Sequence, residues 1–265
     1  LEAGRIRTIR MTLQYDGTDY LGWQTQPRGG TVQDAVEDRL GRILDHPLRV
    51  HGAGRTDRGV HARGQVGSFA TANPLELGRM MRGLNALLPA DVAVLAAREV
   101  PEGFHARHSA RRREYTYQIW RAQVGSPFQH RFVYHLHRDL DLEAMREAAS
   151  LVAGRHDFTS FCAAESSRMG SNVREVFRSE WDVARDLLCY RIGAAGFLHN
   201  MVRIAVGTML EVGTGRRSPR DMREILEARD RRAAGRTAPA RGLFLDRVEY
   251  GPEPGVGPAW GRWDD

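Results

Sequence analysis

Apolar and polar residues alternate over positions 6–15, the period of a half-buried strand. Asp16-Gly17-Thr18 then turns the chain, and Tyr20-Leu21-Gly22-Trp23-Gln24 follows as a loop with two aromatics expected at the surface. Thr31 stands where a helix N-cap is needed, and Val32, Val36, Leu40, Ile43 and Leu44 form one apolar face that ends near Asp45. A short strand over 48–51 runs into a glycine-rich stretch, and 64–69 leaves it as a strand. From Pro74 a second helix presents Leu77, Met80, Met81, Leu84, Leu87 and Leu88, and 91–100 returns to strand. That order is βαββαβ, the split βαβ plan of ferredoxin-like folds.

The same order is expected again further on. Residues 113–121 alternate as a strand and 142–153 read as a helix. Residues 173–184 and 187–192 read as a hairpin around Arg185-Asp186, 197–212 as an apolar helix, 219–232 as a basic amphipathic one, and 243–250 as a closing strand. No repeat is visible residue by residue, so duplication is a topological expectation. The predicted fold is α+β: two ferredoxin-like halves sharing one long antiparallel sheet with helices on one face, the other face left open as a trough. The halves are expected over 1–105 and 106–251, with 252–265 a Pro/Gly-rich tail carrying two tryptophans.

Composition narrows the partner more than the fold. The 265 residues are enough for a full core, and 42% hydrophobic with 27% charged residues is ordinary for a globular chain. The net charge of +6 favours a polyanionic partner. All 39 basic residues are arginine, the side chain that grips phosphate with two parallel bonds and stacks on bases. GC-rich coding accounts for the missing lysine but not for the excess charge. Cys162 and Cys189 lie far apart without a CxxC, arguing against a structural zinc site or a disulfide framework. No apolar run has membrane-spanning length and no signal-peptide pattern opens the chain, so a cytoplasmic protein is expected. Leu1-Glu2-Ala3-Gly4, without Met, fits a trimmed start.

Chemistry concentrates in Val50-His51-Gly52-Ala53-Gly54-Arg55-Thr56-Asp57-Arg58-Gly59-Val60-His61-Ala62. Gly52, Ala53 and Gly54 allow close approach of a ligand or a backbone. Asp57, flanked by Arg55 and Arg58 with His61 as a further cation, is favoured in its ionised form. One reading is a nucleophile on a tight loop facing an anionic substrate; the other is a surface turn with a solvated ion pair. Arg107, His108, Arg111, Arg112 and Arg113 lead into Tyr115 and Tyr117, cations beside aromatics that suit phosphate contact and base stacking, or else a solvated face and core. Arg203 lies on an otherwise apolar helix and must reach solvent, a carboxylate or an anionic ligand. Arg216, Arg217 and Arg220, with Arg229, Arg231, Arg232 and Arg236, make a third basic group, each residue singly better read as solvated. His156, Asp157 and Ser160 could be drawn as a hydrolase triad, but no GxSxG accompanies them. There is no Walker A motif, no third glycine of a dinucleotide fingerprint and no HExxH.

Taken together, Gly52-Ala53-Gly54-Arg55-Thr56-Asp57-Arg58-Gly59-Val60-His61-Ala62 resembles the signature of the tRNA pseudouridine synthase A family. The likeness runs through most of the chain: Tyr15-Asp16-Gly17-Thr18, Gly22-Trp23-Gln24, Thr31-Val32-Gln33, Phe158-Thr159-Ser160-Phe161, Phe197-Leu198, Met201-Val202-Arg203, Gly207-Thr208, and Arg241-Gly242-Leu243 with Leu245. His199-Asn200 stands where that family is expected to carry Arg-His, a departure expected to touch only a local RNA contact. The tail after Tyr250 resembles nothing in the family.

The resemblance implies conversion of uridine to pseudouridine at positions 38, 39 and 40 of the tRNA anticodon stem-loop, without cofactor or metal. It makes Asp57 the catalytic carboxylate. Arg55 would pair with Asp57 and fill the space of the displaced base, Tyr115 would pack on the target base, and Leu243 would form the apolar wall opposite. Arg203 belongs with the substrate-binding residues. The family is homodimeric, each tRNA touching both subunits. A non-catalytic RNA-binding protein is the rival from another class.

Overall fold

The computed structural model describes residues 5–163 and 170–251; the tail expected over 252–265 lies outside them. In chain order the elements are β1 (Arg7–Tyr15), α1 (Val32–Leu44), β2 (His51–Gly52), β3 (His61–Thr71), α2 (Leu77–Leu87), β4 (Val92–Val100), β5 (Ala110–Trp120), β6 (Tyr134–His135), α3 (Leu142–Ser150), β7 (Gly154–Asp157), β8 (Val173–Ala184), β9 (Leu187–Ala194), α4 (Met201–Gly213), α5 (Asp221–Ala228) and β10 (Leu243–Tyr250). The first half keeps the expected βαββαβ order. The second keeps it too, with β6, β7 and α5 added and short 3₁₀ turns at Thr159–Phe161 and Ala240–Gly242.

Local rules explain most boundaries. Thr31 accepts from the Asp34 amide while Asp34 reaches back to the Thr31 amide, a capping box that starts α1. Asp45, at φ 57, ends it. The β8–β9 hairpin turns at Arg185, also left-handed at φ 53. The apolar run from Phe197 becomes helical only at Met201, because Asn200 takes φ 62, a conformation asparagine tolerates better than most residues. Arg229, at φ 48, closes α5 well short of Arg232.

The strands form one sheet in the order β4-β1-β3-β10-β5-β9-β8-β7, with β2 on β3 and β6 on β5. It is not wholly antiparallel as expected. The halves meet through β3 and β10 running parallel over two registered pairs, Phe244 with His61 and Leu245 with Ala62, and β6 also runs parallel to β5. Hydrophobic alternation says which face a residue takes but nothing about direction relative to a strand from the other half.

Ile9, Met11 and Leu13 from β1 share a buried cluster with Val32, Val36 and Leu40 of α1 and Met80 and Leu84 of α2. The cluster continues through Tyr117, Ile119, Tyr190 and Trp181 to α3 and α4, so both halves contribute to one core. Trp181 donates its indole N–H to the Met209 sulfur on α4 at 3.3 Å, fixing which face of β8 and β9 the helix covers. Residues 235–238 run along α4: Gly235 N–H donates to Thr208 Oγ1 at 2.9 Å and Ala238 N–H to the Arg203 carbonyl at 3.0 Å.

That close approach is possible because residue 207 is glycine; a Cβ there would fall on the Arg236 carbonyl oxygen. Gly207→Ala is therefore expected to lower stability by about 2–3 kcal/mol, the range of core overpacking. Gly83→Ala in α2, whose added methyl would meet Ile43 at an ordinary 3.6 Å, is expected to raise stability by about 0.5–1 kcal/mol. Urea denaturation midpoints of the two variants check both signs.

Candidate active site

The loop between β2 and β3 is held on all sides by backbone and buried side chains. Ala53 N–H donates to Val66 O at 2.7 Å and Gln65 Nε2 to Gly54 O at 2.8 Å. Tyr15 Oη and Thr56 Oγ1 share a hydrogen bond of 2.7 Å. Trp23, expected at the surface, is buried instead; its backbone N–H donates to Thr56 O at 3.0 Å and its ring lies against Gly52. Gly22 has φ +100, and a Cβ there would stand 2.6 Å from Thr56 O. A Cβ on Gly17 would strike the Val60 carbonyl. The Asp16-Gly17-Thr18 and Gly22-Trp23 segments are thus the floor on which the loop rests.

Asp57 projects from this loop toward the other half. Arg203 Nη1 lies 3.4 Å from its Oδ2 and His199 Nε2 lies 3.3 Å from its Oδ1. Arg203 reaches a carboxylate, one of the alternatives open in the sequence, and also donates to Ala238 O and Asn200 Oδ1, each at 2.8 Å. His199 and Asn200 therefore belong to the site itself: one faces the carboxylate and the other accepts from its arginine. Sequence reasoning missed both, although their place just before Arg203 was a usable signal. Arg55 is exposed, and in the free chain the partners of Asp57 are Arg203 and His199. The Asp57 side chain keeps a quarter of its surface exposed. The two residues that follow it in the chain, Arg58 and Gly59, line a hollow of about 400 Å³ with Thr18, Pro239, Ala240 and Arg241, a hollow that Asp57 itself does not line.

Tyr115 is buried, its ring edge-on to Phe197 at 4.9 Å. Burial first, then the charges of Tyr15 and Asp57, push its phenol well above the ordinary value, so it stays protonated across the neutral range. Across the β10–β5 ladder Leu243 faces Tyr117 and Leu245 faces Tyr115, which puts Leu243 diagonally beside Tyr115 on one face. Tyr117 is core, its hydroxyl donating to Pro239 O at 2.8 Å. Tyr117 pairs with Tyr190, whose ring lies tilted against Trp181 at 5.0 Å under α4. The site therefore lies on the α4 side of the sheet, not on the open face expected to form a trough. Among the described helices, α2 packs on β4 and α3 on β8, leaving the central strands to the loops.

His61, read as a cation from the sequence, is fully buried between the rings of Phe244 and Phe132. Burial lowers its pKa, against the opposing charge of Asp16 and carbonyl hydrogen bonds. Nδ1 accepts the Gly17 N–H at 3.0 Å while Nε2 faces the carbonyls of Arg131 and Arg241 at 3.0 and 3.1 Å. Asp16 Oδ1 also lies 3.1 Å from Nδ1, but a proton there would confront the Gly17 N–H, so the neutral Nε2–H form fits. Arg113, grouped with the phosphate candidates, is buried on backbone carbonyls. Arg217 pairs with Glu211, Arg229 with Asp157 and Arg232 with Asp230, so three of the seven arginines of the third basic group face carboxylates. Ser160 is buried and bonded to Ile225 O at 2.5 Å, while His156 Nε2 sits 2.8 Å from Ala153 O, so no hydrolase relay forms. Among the described residues no group of three or more His, Cys, Asp or Glu could hold a metal, and no helix is long and apolar enough to cross a membrane.

The chain matches the family described as tRNA pseudouridine synthase over residues 11–109 and 148–251. It is 45% identical over 252 residues to the tRNA pseudouridine synthase A of Syntrophotalea carbinolica, covering 94% of this chain and 98% of that one. The same-named protein of Moorella thermoacetica is 46% identical over 244 residues, covering 91% and 99%. That of Bacillus subtilis is 44% identical over 244 residues, covering 91% and 98%.

His61 yields a pH prediction. Its folded pKa lies below the ordinary 6.5, so on acidification the unfolded chain takes up a proton before the folded one does. The contribution is fully present above about pH 6.5 and is lost as pH falls through the folded value, at most about 1.4 kcal/mol per pH unit. Denaturation midpoints between pH 7.5 and 5.5 are expected to fall, and His61→Asn, though less stable throughout, to fall less steeply.

Proposed function

Since the chain belongs to the tRNA pseudouridine synthase family and isomerises uridine to pseudouridine in tRNA, we propose that Asp57 is its essential carboxylate and that its targets are positions 38, 39 and 40 of the anticodon stem-loop. The observation that carries the first part is the placement of Asp57: partly exposed and held by Arg203 and His199 from the opposite half. Two groups from the opposite half, 3.3 and 3.4 Å away, keep the carboxylate aimed while it meets the ribose.

In the proposed reaction Asp57 attacks C1′ of the target nucleotide or assists departure of the uracil. The N1–C1′ bond breaks and the freed base turns within the site; C5 then bonds to C1′, displacing Asp57 where it has bonded there, and the proton lost from C5 is balanced by the one gained at N1. Water must stay out while the base is detached. Extruding the nucleotide costs a few kcal/mol, which contacts to the RNA backbone offset. Arg55, exposed at the loop, takes the place of the extruded base. Tyr115 and Leu243 bracket the uracil, Phe197 yielding to admit it, and the Tyr115 hydroxyl moves a ribose proton. Arg203 binds the substrate-facing carboxylate in place. The reading includes a cytoplasmic homodimer in which each tRNA touches both subunits; the family resemblance supports it, and the +6 charge suits the tRNA.

Asp57→Asn is expected to keep tRNA binding within a few-fold while turnover falls on the order of 10⁴-fold. Turnover close to wild type would sink the assignment. Incubation with an unmodified tRNA transcript, followed by mapping of pseudouridine, is expected to place the product in the anticodon arm at 38–40; product confined to another arm would refute the site. Light scattering is expected to return twice the chain mass.

A further inference from the structure

Arg113 is the arginine whose surroundings the reaction does not yet explain. It is 9% exposed on β5, on the same face as Tyr115 two residues on. Its Nε and Nη2 lie 3.2 and 2.9 Å from the Ala53 carbonyl. Nη1 donates to Ala195 O at 2.6 Å, and Nη2 also donates to Arg107 O at 2.7 Å. Among the described residues no carboxylate lies within ion-pair distance of it. A guanidinium does not shed its charge, so this is a buried cation satisfied by carbonyl dipoles alone.

Those three carbonyls belong to three separate segments. Ala53 opens the loop that carries Asp57. Ala195 opens the segment that carries Phe197, His199, Asn200 and Arg203. Arg107 sits in the connection between the halves, where the neighbouring Ala106 N–H donates to Ser68 Oγ on β3 at 2.9 Å. One rigid planar fork thus spans the backbone of the carboxylate's loop and the backbone of its partners' segment, with Tyr115 beside it.

We propose that Arg113 is a positioning residue for pseudouridine formation: its guanidinium sets the distance between the Asp57 loop and the His199–Arg203 segment, holding the carboxylate in line with the ribose beneath Tyr115. This rests on the reading of Asp57 as the reacting carboxylate. Lysine keeps the charge, but a single ammonium cannot reach carbonyls arranged around a planar fork. A misplacement of about 1 Å at a reacting group costs on the order of 100-fold in rate.

The test is Arg113→Lys, assayed with saturating tRNA well below its melting temperature. The expected result is a ten- to hundredfold fall in kcat with the dissociation constant for tRNA within threefold of wild type, and faster hydrogen exchange over residues 50–58 than over β1. Wild-type kcat despite a lowered melting temperature would make Arg113 purely structural and overturn the proposal. A loss confined to tRNA affinity would make it an RNA contact and overturn it as well. Should the variant not fold, the Nε–H of Arg113 in ¹⁵N-arginine-labelled wild-type enzyme decides: strong protection from solvent exchange is expected, and exchange as fast as that of Arg55 refutes the anchor. Asp57→Asn run in parallel separates the two claims. If it turns over, the reading of Asp57 fails; if it is inert while Arg113→Lys is fully active, the positioning role alone fails.

Discussion

The contact between Asp57 and Arg203 joins a loop of the first half to a helix of the second, 3.4 Å apart and largely out of solvent. Neither charge is well off alone in such a place, because a partly buried ion without its partner loses hydration that nothing replaces. The pair can form only if the halves meet at one fixed offset. That offset is set by the two-residue parallel pairing of β3 with β10, which begins at His61, four residues after Asp57. The buried imidazole of His61, bonded to Gly17, Arg131 and Arg241, locks the junction from within.

The loop that carries Asp57 owes its shape to close backbone approach rather than to side-chain bulk. Gly22 and Gly17 let other chain segments lie directly against Thr56 and Val60, and Tyr15, Gln65 and Trp23 satisfy its polar groups from below. Such a loop does not need to be ordered when the substrate arrives, and preorganised charge is what stabilises a transition state at least cost. The left-handed Asn200 serves the same end. By delaying the start of α4 it frees His199 and its own side chain to face Asp57 and Arg203.

Arginine does several different jobs here, and composition alone mixes them. Arg113 and Arg203 are interior braces, and Arg217, Arg229 and Arg232 spend their charge on nearby carboxylates. Others sit over rings, Arg10 over Tyr250 at 4.3 Å, Arg63 over Phe244 at 3.9 Å and Arg112 over Phe177 at 4.5 Å, where cation and π face attract. A net charge of +6 therefore describes the long-range field that draws in RNA, not a census of phosphate contacts.

Residue order alone specified the elements that local physics dictates: the capped helix from Thr31, the hairpin at Arg185, the strand over Leu243–Tyr250, and the repeated βαββαβ sequence of strands and helices. These depend on periodicity, caps and turn chemistry within a few residues of each other. The signature around Asp57 was likewise legible, because its glycines and charges are contiguous. Tertiary structure decided the rest. It made the junction parallel, put the site on the α4 side of the sheet, buried Trp23 and His61, gave Asp57 the partners Arg203 and His199 rather than its neighbours in the chain, and turned Arg113 inward. Each of those outcomes depends on groups brought together from distant positions, and no local pattern of hydrophobicity or charge encodes which distant backbone a side chain will meet.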